Sequence, residues 1–149
     1  VSTPEWARPY LGVPYAEANC WEITRRVLWN RAAIRVPDFS GEYDRDADEA
    51  GWADHVRDEV ESLVERELAG DDWRAVVGAV RPFDVALYRA IVRDGSGTLV
   101  VRRHAHIGVV IAPGLGISTS RATGSYLYRL GMRQWAAQLE GYWRHVGPS

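Results

Sequence analysis

The chain has 149 residues, 46% of them hydrophobic and 26% charged, with a formal net charge of −2. That length supports one domain with one sizeable core, and the composition is that of a soluble globular protein. No apolar run approaches the roughly 18 residues of a bilayer crossing, the whole-chain charge gives no argument for nucleic acid, and one cysteine permits neither an intrachain disulfide nor a cysteine-based metal cage.

The chain opens with Val1-Ser-Thr-Pro-Glu-Trp6, which lacks a charged stretch followed by an apolar one, so no secretory leader is expected. Residues 3–10 read as a short turn or helix with Pro4 early in it. Gly12-Val-Pro-Tyr15 reads as extended or turn, because Pro14 disfavours helix before it. A helix is predicted from Cys20, with Asn19 as its N-cap. Ile23, Val27 and Ile34 fall on or near the Cys20 face, Arg25, Arg26 and Arg31 point elsewhere, and Pro37 ends it. Residues 38–46 look like a loop.

A second helix is predicted over 47–69, with Trp52, Val56, Val60, Leu63 and Val64 as its apolar stripe and Gly70 as its stop. It belongs to a strongly acidic stretch. Residues 37–72 hold 14 of the 20 acidic residues and three arginines, whereas the remainder holds six acids and 15 arginines, with no lysine anywhere. A solvated helix face accounts for the acids, and that helix is also the segment best suited to a partner surface. The basic remainder reads as an ordinary charged surface or one suited to a polyanion.

The pattern then changes period. Phe83–Val92 reads as a strand, Asp94-Gly-Ser-Gly97 as a hairpin turn and Thr98–Arg103 as the returning strand. His106–Ile111 reads as a further strand ended by Pro113-Gly114. Ile117–Ser120 and Ser125–Leu130 are short strand candidates, Met132–Leu139 a short helix and Gly141–Val146 a last strand. Helices first and antiparallel strands afterwards make an α+β arrangement. Trp29, Trp52 and Trp143 read as core residues rather than a sugar-stacking surface.

Cys20, the lone cysteine, reads either as a buried filler or as a reactive thiol. At a helix start, unpaired backbone N–H groups and the helix dipole favour a thiolate. A nucleophilic cysteine needs a base brought near in space. The histidines are His55, His104, His106 and His145. His55 lies on the acidic helix, His145 beside Arg144, and His106 opens the apolar run Ile107-Gly-Val-Val-Ile111. His104, two residues earlier, shares the His106 face if the strand is unbroken. Residue type and position leave the choice of base open.

Several segments, in order, resemble the NlpC-type papain-like cysteine peptidases, specifically the short versions in phage tails. They are Tyr10-Leu-Gly-Val-Pro-Tyr15, the Cys20-Trp-Glu-Ile-Thr-Arg-Arg-Val27 helix and Val36-Pro-Asp38. Next come Pro82-Phe-Asp-Val-Ala-Leu-Tyr88, where the family has Pro-Gly-Asp-Val, and His106-Ile-Gly-Val-Val110, where it has His-Val-Gly-Ile. Leu139-Glu-Gly-Tyr-Trp-Arg-His145 is similar to the closing strand. The resemblance implies a single domain over 1–149, with N-terminal helices packed on a C-terminal antiparallel sheet and an acidic helical insertion at about 44–72. It implies Cys20 as nucleophile, His106 as base, Tyr15 as an oxyanion contact, and Ser118 at the position of the third catalytic residue, usually a histidine.

Beside the nucleophile the family's Gly-x-Asp-Cys and Cys-x-Gly are replaced by Ala18-Asn19-Cys20 and Glu22. A carboxylate at Glu22 near the thiolate would raise the thiol pKa. The activity implied is a tail-associated hydrolase cutting peptide bonds of bacterial peptidoglycan as a phage or phage-like particle crosses the cell wall. The implied partners are peptidoglycan and tail hub or tip proteins, with no nucleic acid, no membrane insertion, no cofactor and no metal. The implied location is a particle tail, the chain being made in the host cytoplasm. Two rival expectations are a structural or assembly component of the tail tip that keeps the fold with weakened activity, and a peptidase that processes a tail protein during assembly.

Overall fold

Alternating apolar residues in the second half of the chain form a six-stranded antiparallel sheet in the computed structural model, which describes residues 2–39, 42, 62–93 and 95–147. The strands are β1 (Trp73–Ala75), β2 (Val85–Arg93), β3 (Leu99–Ala112), β4 (Leu115–Ser120), β5 (Gly124–Arg129) and β6 (Leu139–His145), in the order β1-β6-β2-β3-β4-β5. Before them lie a 3-10 helix (Glu5–Tyr10), helix α1 (Cys20–Ala32) and helical residues 62–68 (α2), and a short α3 (Arg133–Ala136) precedes β6. The arrangement is α+β, as the order of patterns predicts.

The period of two divides the sheet into two faces. Val85, Leu87, Ile107, Val109, Ile111 and Ile117 belong to the core that contains Trp21, Ile23, Val27 and Leu28 of α1. Burying each such side chain contributes about 1.5–3 kcal/mol relative to exposure. The opposite face carries a second, aromatic cluster built on Ala86, Tyr88 and Tyr128, with Tyr126, Trp135 and Tyr142 packed against it.

Helix α1 begins where the sequence predicts. Asn19 is extended, its side chain accepts from the Glu22 N–H at 3.0 Å, and Glu22 Oε1 accepts from the Asn19 N–H at 3.3 Å, a complete capping box. The helix ends earlier than Pro37 suggests. Ala33 adopts φ 55°, and the Ile34 and Ala33 N–H groups close back onto the Leu28 and Trp29 carbonyls. This left-handed closure normally uses glycine, so the sequence carries no sign of it. Trp29 is not in the core as expected: it is 50% exposed, with the Arg35 guanidinium 4.8 Å from its ring.

Of the helix expected over 47–69, residues 62–68 are helical with Leu63, Val64 and Leu68 buried, while Trp52, Val56 and Val60 lie outside the described residues. The two strands expected at 98–103 and 106–111 are one strand, β3, whose pairing with β2 absorbs an irregularity between Tyr88 and Ala90. The register steps from Tyr88↔His106 to Ala90↔Arg102, so the ladder breaks where the polar residues Arg103 and His104 interrupt the apolar pattern, while the strand continues. β1 was not expected: it is three residues long with only Trp73 buried, and it is held by pairing Trp73 to His145 on β6.

Tyr128 lies across two glycines of the aromatic face. A Cβ on Gly116 would stand 2.8 Å from Cε1 and Cζ of the Tyr128 ring, and one on Gly108 would meet the Tyr128 hydroxyl. Gly116→Ala is therefore expected to destabilise the protein by about 1–3 kcal/mol, read as a lower urea midpoint with an unchanged m-value.

The Tyr88 and Tyr128 hydroxyls are 2.9 Å apart, and burial pushes both phenol pKa values up. The native state thus keeps protons that the unfolded chain releases near pH 10. This contribution to stability is complete below about pH 10 and is lost as the pH rises above it, at up to about 1.4 kcal/mol per pH unit for each tyrosine. Tyr128→Phe is expected to flatten that alkaline decline by about one proton in denaturation curves taken from pH 9 to 11.

Candidate active site

The chain reaches Cys20 through a segment pinned to the edge strand β5. Gly12 N donates to the Ser125 carbonyl at 2.8 Å, Val13 N to Ser125 Oγ at 2.9 Å, and Ser125 N to the Val13 carbonyl at 2.9 Å. Ser125 Oγ donates in turn to the Tyr10 carbonyl at 2.6 Å. Gly124, at φ 72°, leaves the space in which the Val13 carbonyl approaches. The Glu17 and Ala18 N–H groups then turn back onto the Pro14 carbonyl, and the Asn19 cap starts the helix.

Cys20 is the first residue of α1, partly exposed and packed against the edge of the core. Its carbonyl accepts from Thr24 Oγ1 at 2.8 Å. The Glu22 carboxylate is directed to the Asn19 N–H, which gives it a capping role. Tyr15 lies under the Arg121 guanidinium, 5.1 Å from the ring centre, and both line a groove of about 400 Å³ with Gly12, Pro14, Thr123 and Gly124. A larger hollow of about 720 Å³ lies between Arg25, Trp29, Arg35, Pro37 and Phe39. Neither hollow is lined by Cys20, His106 or Ser118.

His106 and Ser118 project from the aromatic face. His106 pairs with Tyr88 across β2 and β3, and its ring meets Trp135 edge-on at 6.1 Å and 79°. Ser118 pairs with Tyr126 across β4 and β5, is 1% exposed, and donates its proton to the Ile107 carbonyl at 2.8 Å. The Tyr126 pKa is raised, first by burial, and a charge on Cys20 pushes it the same way, while a hydrogen bond with Ser118 opposes the shift. Cys20 is thus within electrostatic reach of Tyr126, although the apolar stripe of its helix packs on the other face of the sheet. His106, Ser118, Tyr126 and Trp135 share one face, whereas Cys20, in the first turn of α1, packs against the core on the other.

His145 is occupied structurally: its ring stands edge-on to Trp73 at 5.1 Å, and Nδ1 accepts from Gly147 N at 3.0 Å. His55 and the His104 side chain lie outside what is described. Among the described residues, no three His, Cys, Asp or Glu side chains group as metal ligands, and no helix is long and apolar enough to cross a membrane.

Tyr126 and Trp135 are the site residues that sequence reasoning passes over. Alternation along β5 signals that Tyr126 and Tyr128 share a face, but nothing local brings Trp135 of the four-residue α3 to His106. No protein-family model matches the chain, and no curated protein matches it.

Proposed function

We propose that the chain is an NlpC-type papain-like cysteine peptidase that cuts peptide bonds in bacterial peptidoglycan, carried on the tail of a phage or phage-like particle. The observation that carries this reading is a partly exposed cysteine at the first position of a capped helix, with Tyr126 of the His106 and Ser118 face in electrostatic reach. Phe83 adds support. It adopts φ 74°, a left-handed conformation that favours glycine, at the position where the resembled family has glycine. The Phe83 ring stacks on Trp6 at 6.0 Å, which offsets part of the backbone cost.

In the proposed reaction Cys20 Sγ attacks the scissile carbonyl carbon while His106 takes the thiol proton. The Cys20 N–H and the Tyr15 hydroxyl stabilise the oxyanion. His106 then protonates the leaving amine, and water releases the acyl group from sulfur with His106 again as base. The chemistry calls for no cofactor. The substrate class, the tail location and docking on a hub or tip protein rest on the motif resemblance.

One observation favours the second reading, a tail-tip component with weakened activity. Ser118 stands where the family usually has a histidine, and its hydroxyl, which donates to the Ile107 carbonyl, is a shorter and less basic acceptor for the imidazole N–H than a histidine ring. Incubation of the purified protein with peptidoglycan sacculi separates the readings. The peptidase releases soluble peptide fragments, whereas absence of release from sacculi of every wall chemotype supports the structural component.

A further inference from the structure

The β2–β3 hairpin is longer than the sheet that holds it. Pairing of β2 with β6 ends at Tyr88↔Leu139, where Arg89 N donates to the Gln138 carbonyl at 2.8 Å. Pairing of β3 with β4 ends at Val109↔Ile117. Beyond those limits the two strands pair with each other, from Ala90↔Arg102 to Arg93↔Leu99. They form a two-stranded ribbon, set off from the sheet by the register step after Tyr88. Among the described residues, no third strand pairs with residues 99–105.

A ribbon of two strands is at best marginally stable in water, and an unpaired edge is a template for another strand. This ribbon also exposes apolar side chains: Leu99 is 59% exposed, Val101 60% and Val100 37%. Leu99 and Val101 share one face, and Val100 is on the other. The outer edge of β3 over 99–105 is about 23 Å long, the length of an ordinary strand. Charge indicates what fits there. The chain has a net charge of −2, yet residues 89–104 hold Arg89, Arg93, Arg102 and Arg103 against the single acid Asp94. A second copy of the ribbon would set arginines against arginines, whereas a strand rich in carboxylates complements them.

We propose that the outer edge of β3 over residues 99–105 is a docking surface for an extended, acidic segment of another protein, which joins the ribbon as its third strand. Backbone N–H and C=O groups along the edge pair with the segment, alternate apolar side chains of the segment cover Leu99 and Val101, and its carboxylates answer the arginine-rich ribbon. The surface does not rest on the peptidase reading, because no residue of it acts in the proposed reaction.

The test uses the full chain and a labelled peptide of alternating valine and glutamate, with a valine and lysine peptide of the same length as control. Binding is read by fluorescence anisotropy, and its place by hydrogen exchange of the backbone followed by mass spectrometry. The acidic peptide is expected to slow exchange over residues 99–105 at least about fivefold, and the basic peptide to bind at least about tenfold more weakly. Leu99→Thr combined with Val101→Thr keeps strand preference and removes apolar surface, and is expected to weaken binding at least about fivefold. Cys20→Ala is expected to bind as the wild type does. The wild-type exchange pattern keeps the test decisive if the double variant does not fold. Unchanged exchange over 99–105 at peptide concentrations up to about 1 mM, or equal binding of the two peptides, overturns the proposal. Protection that grows with protein concentration alone makes a second copy the occupant, and stronger protection by a DNA duplex makes the ribbon a nucleic-acid arm; either result overturns it. Loss of binding in Cys20→Ala places the peptide at the candidate active site and overturns it as well.

Discussion

Cys20→Ala is expected to reduce peptide release from sacculi to background, a loss of roughly 10⁴-fold or more, while the melting temperature stays within about 2 °C of the wild type. The two halves of this expectation have separate causes. The acyl-enzyme route needs the sulfur, so its removal takes away the nucleophile outright. The start of the helix does not rest on the sulfur, because the capping box is made by the Asn19 side chain, the Glu22 carboxylate and their backbone partners. Cys20 is also only partly buried, so truncation leaves little cavity. Peptide release together with circular dichroism melting checks both halves. Retained release would exclude Cys20 as the nucleophile, and a large fall in melting temperature would make it a packing residue.

Asp84→Ala is expected to have the largest effect on stability, lowering the melting temperature by roughly 10 °C. Asp84 is 1% exposed and takes three hydrogen bonds at 2.8 Å: from Arg81 N, from Arg144 Nε and from Arg144 Nη2. The two from Arg144 make a bidentate pair that joins the start of β2 to β6, and Arg144 Nη2 also reaches the Ala79 carbonyl at 3.0 Å. Removing the carboxylate leaves a guanidinium and a backbone N–H facing a site without an acceptor, and the loss of a partner is the costly way to break a buried pair. Asp84→Asn keeps the volume and one acceptor oxygen, so it is expected to lose about half as much. Melting of the two variants checks the order. Equal melting temperatures for Asp84→Ala and the wild type would show that the pair does not hold β2 to β6.

Local chemistry made some elements legible in the sequence. The start of α1 was readable because Asn19 belongs to a residue type that caps helices, whereas the return bond from Glu22 was not read and its carboxylate was expected near the thiolate. The second part of β3 was readable as a continuous apolar run from Ile107 to Ile111, whose valines and isoleucines are all buried. The unreadable features depend on partners distant in the chain or on exceptions to residue preference. Ala33 closes α1 in a conformation typical of glycine, and Phe83 holds another, so neither announces its turn. β1 exists only through β6.

The candidate site divides along the same line. The place of Cys20 follows from a local cap. The partner of the Ser118 hydroxyl is decided by the carbonyl that β3 presents to it, and Trp135 reaches His106 only because α3 folds back over the aromatic face. An aromatic residue read one at a time looks like core, and Tyr126 and Trp135 are core on one side while facing the site on the other.

The central claim is that Cys20 and His106 work as a pair. Because Cys20 is the only cysteine, intact mass follows its alkylation without ambiguity. The decisive measurement is the rate of carboxamidomethylation of wild type and His106→Ala between about pH 5 and 9, against the usual thiol pKa of about 8.5. A working pair predicts that the wild type reacts through a thiolate limb well below that value, and that His106→Ala slows the reaction near pH 6 by at least about tenfold and moves the limb into the ordinary thiol range. Superimposable profiles for the two proteins would contradict the pair, and with it the peptidase reading.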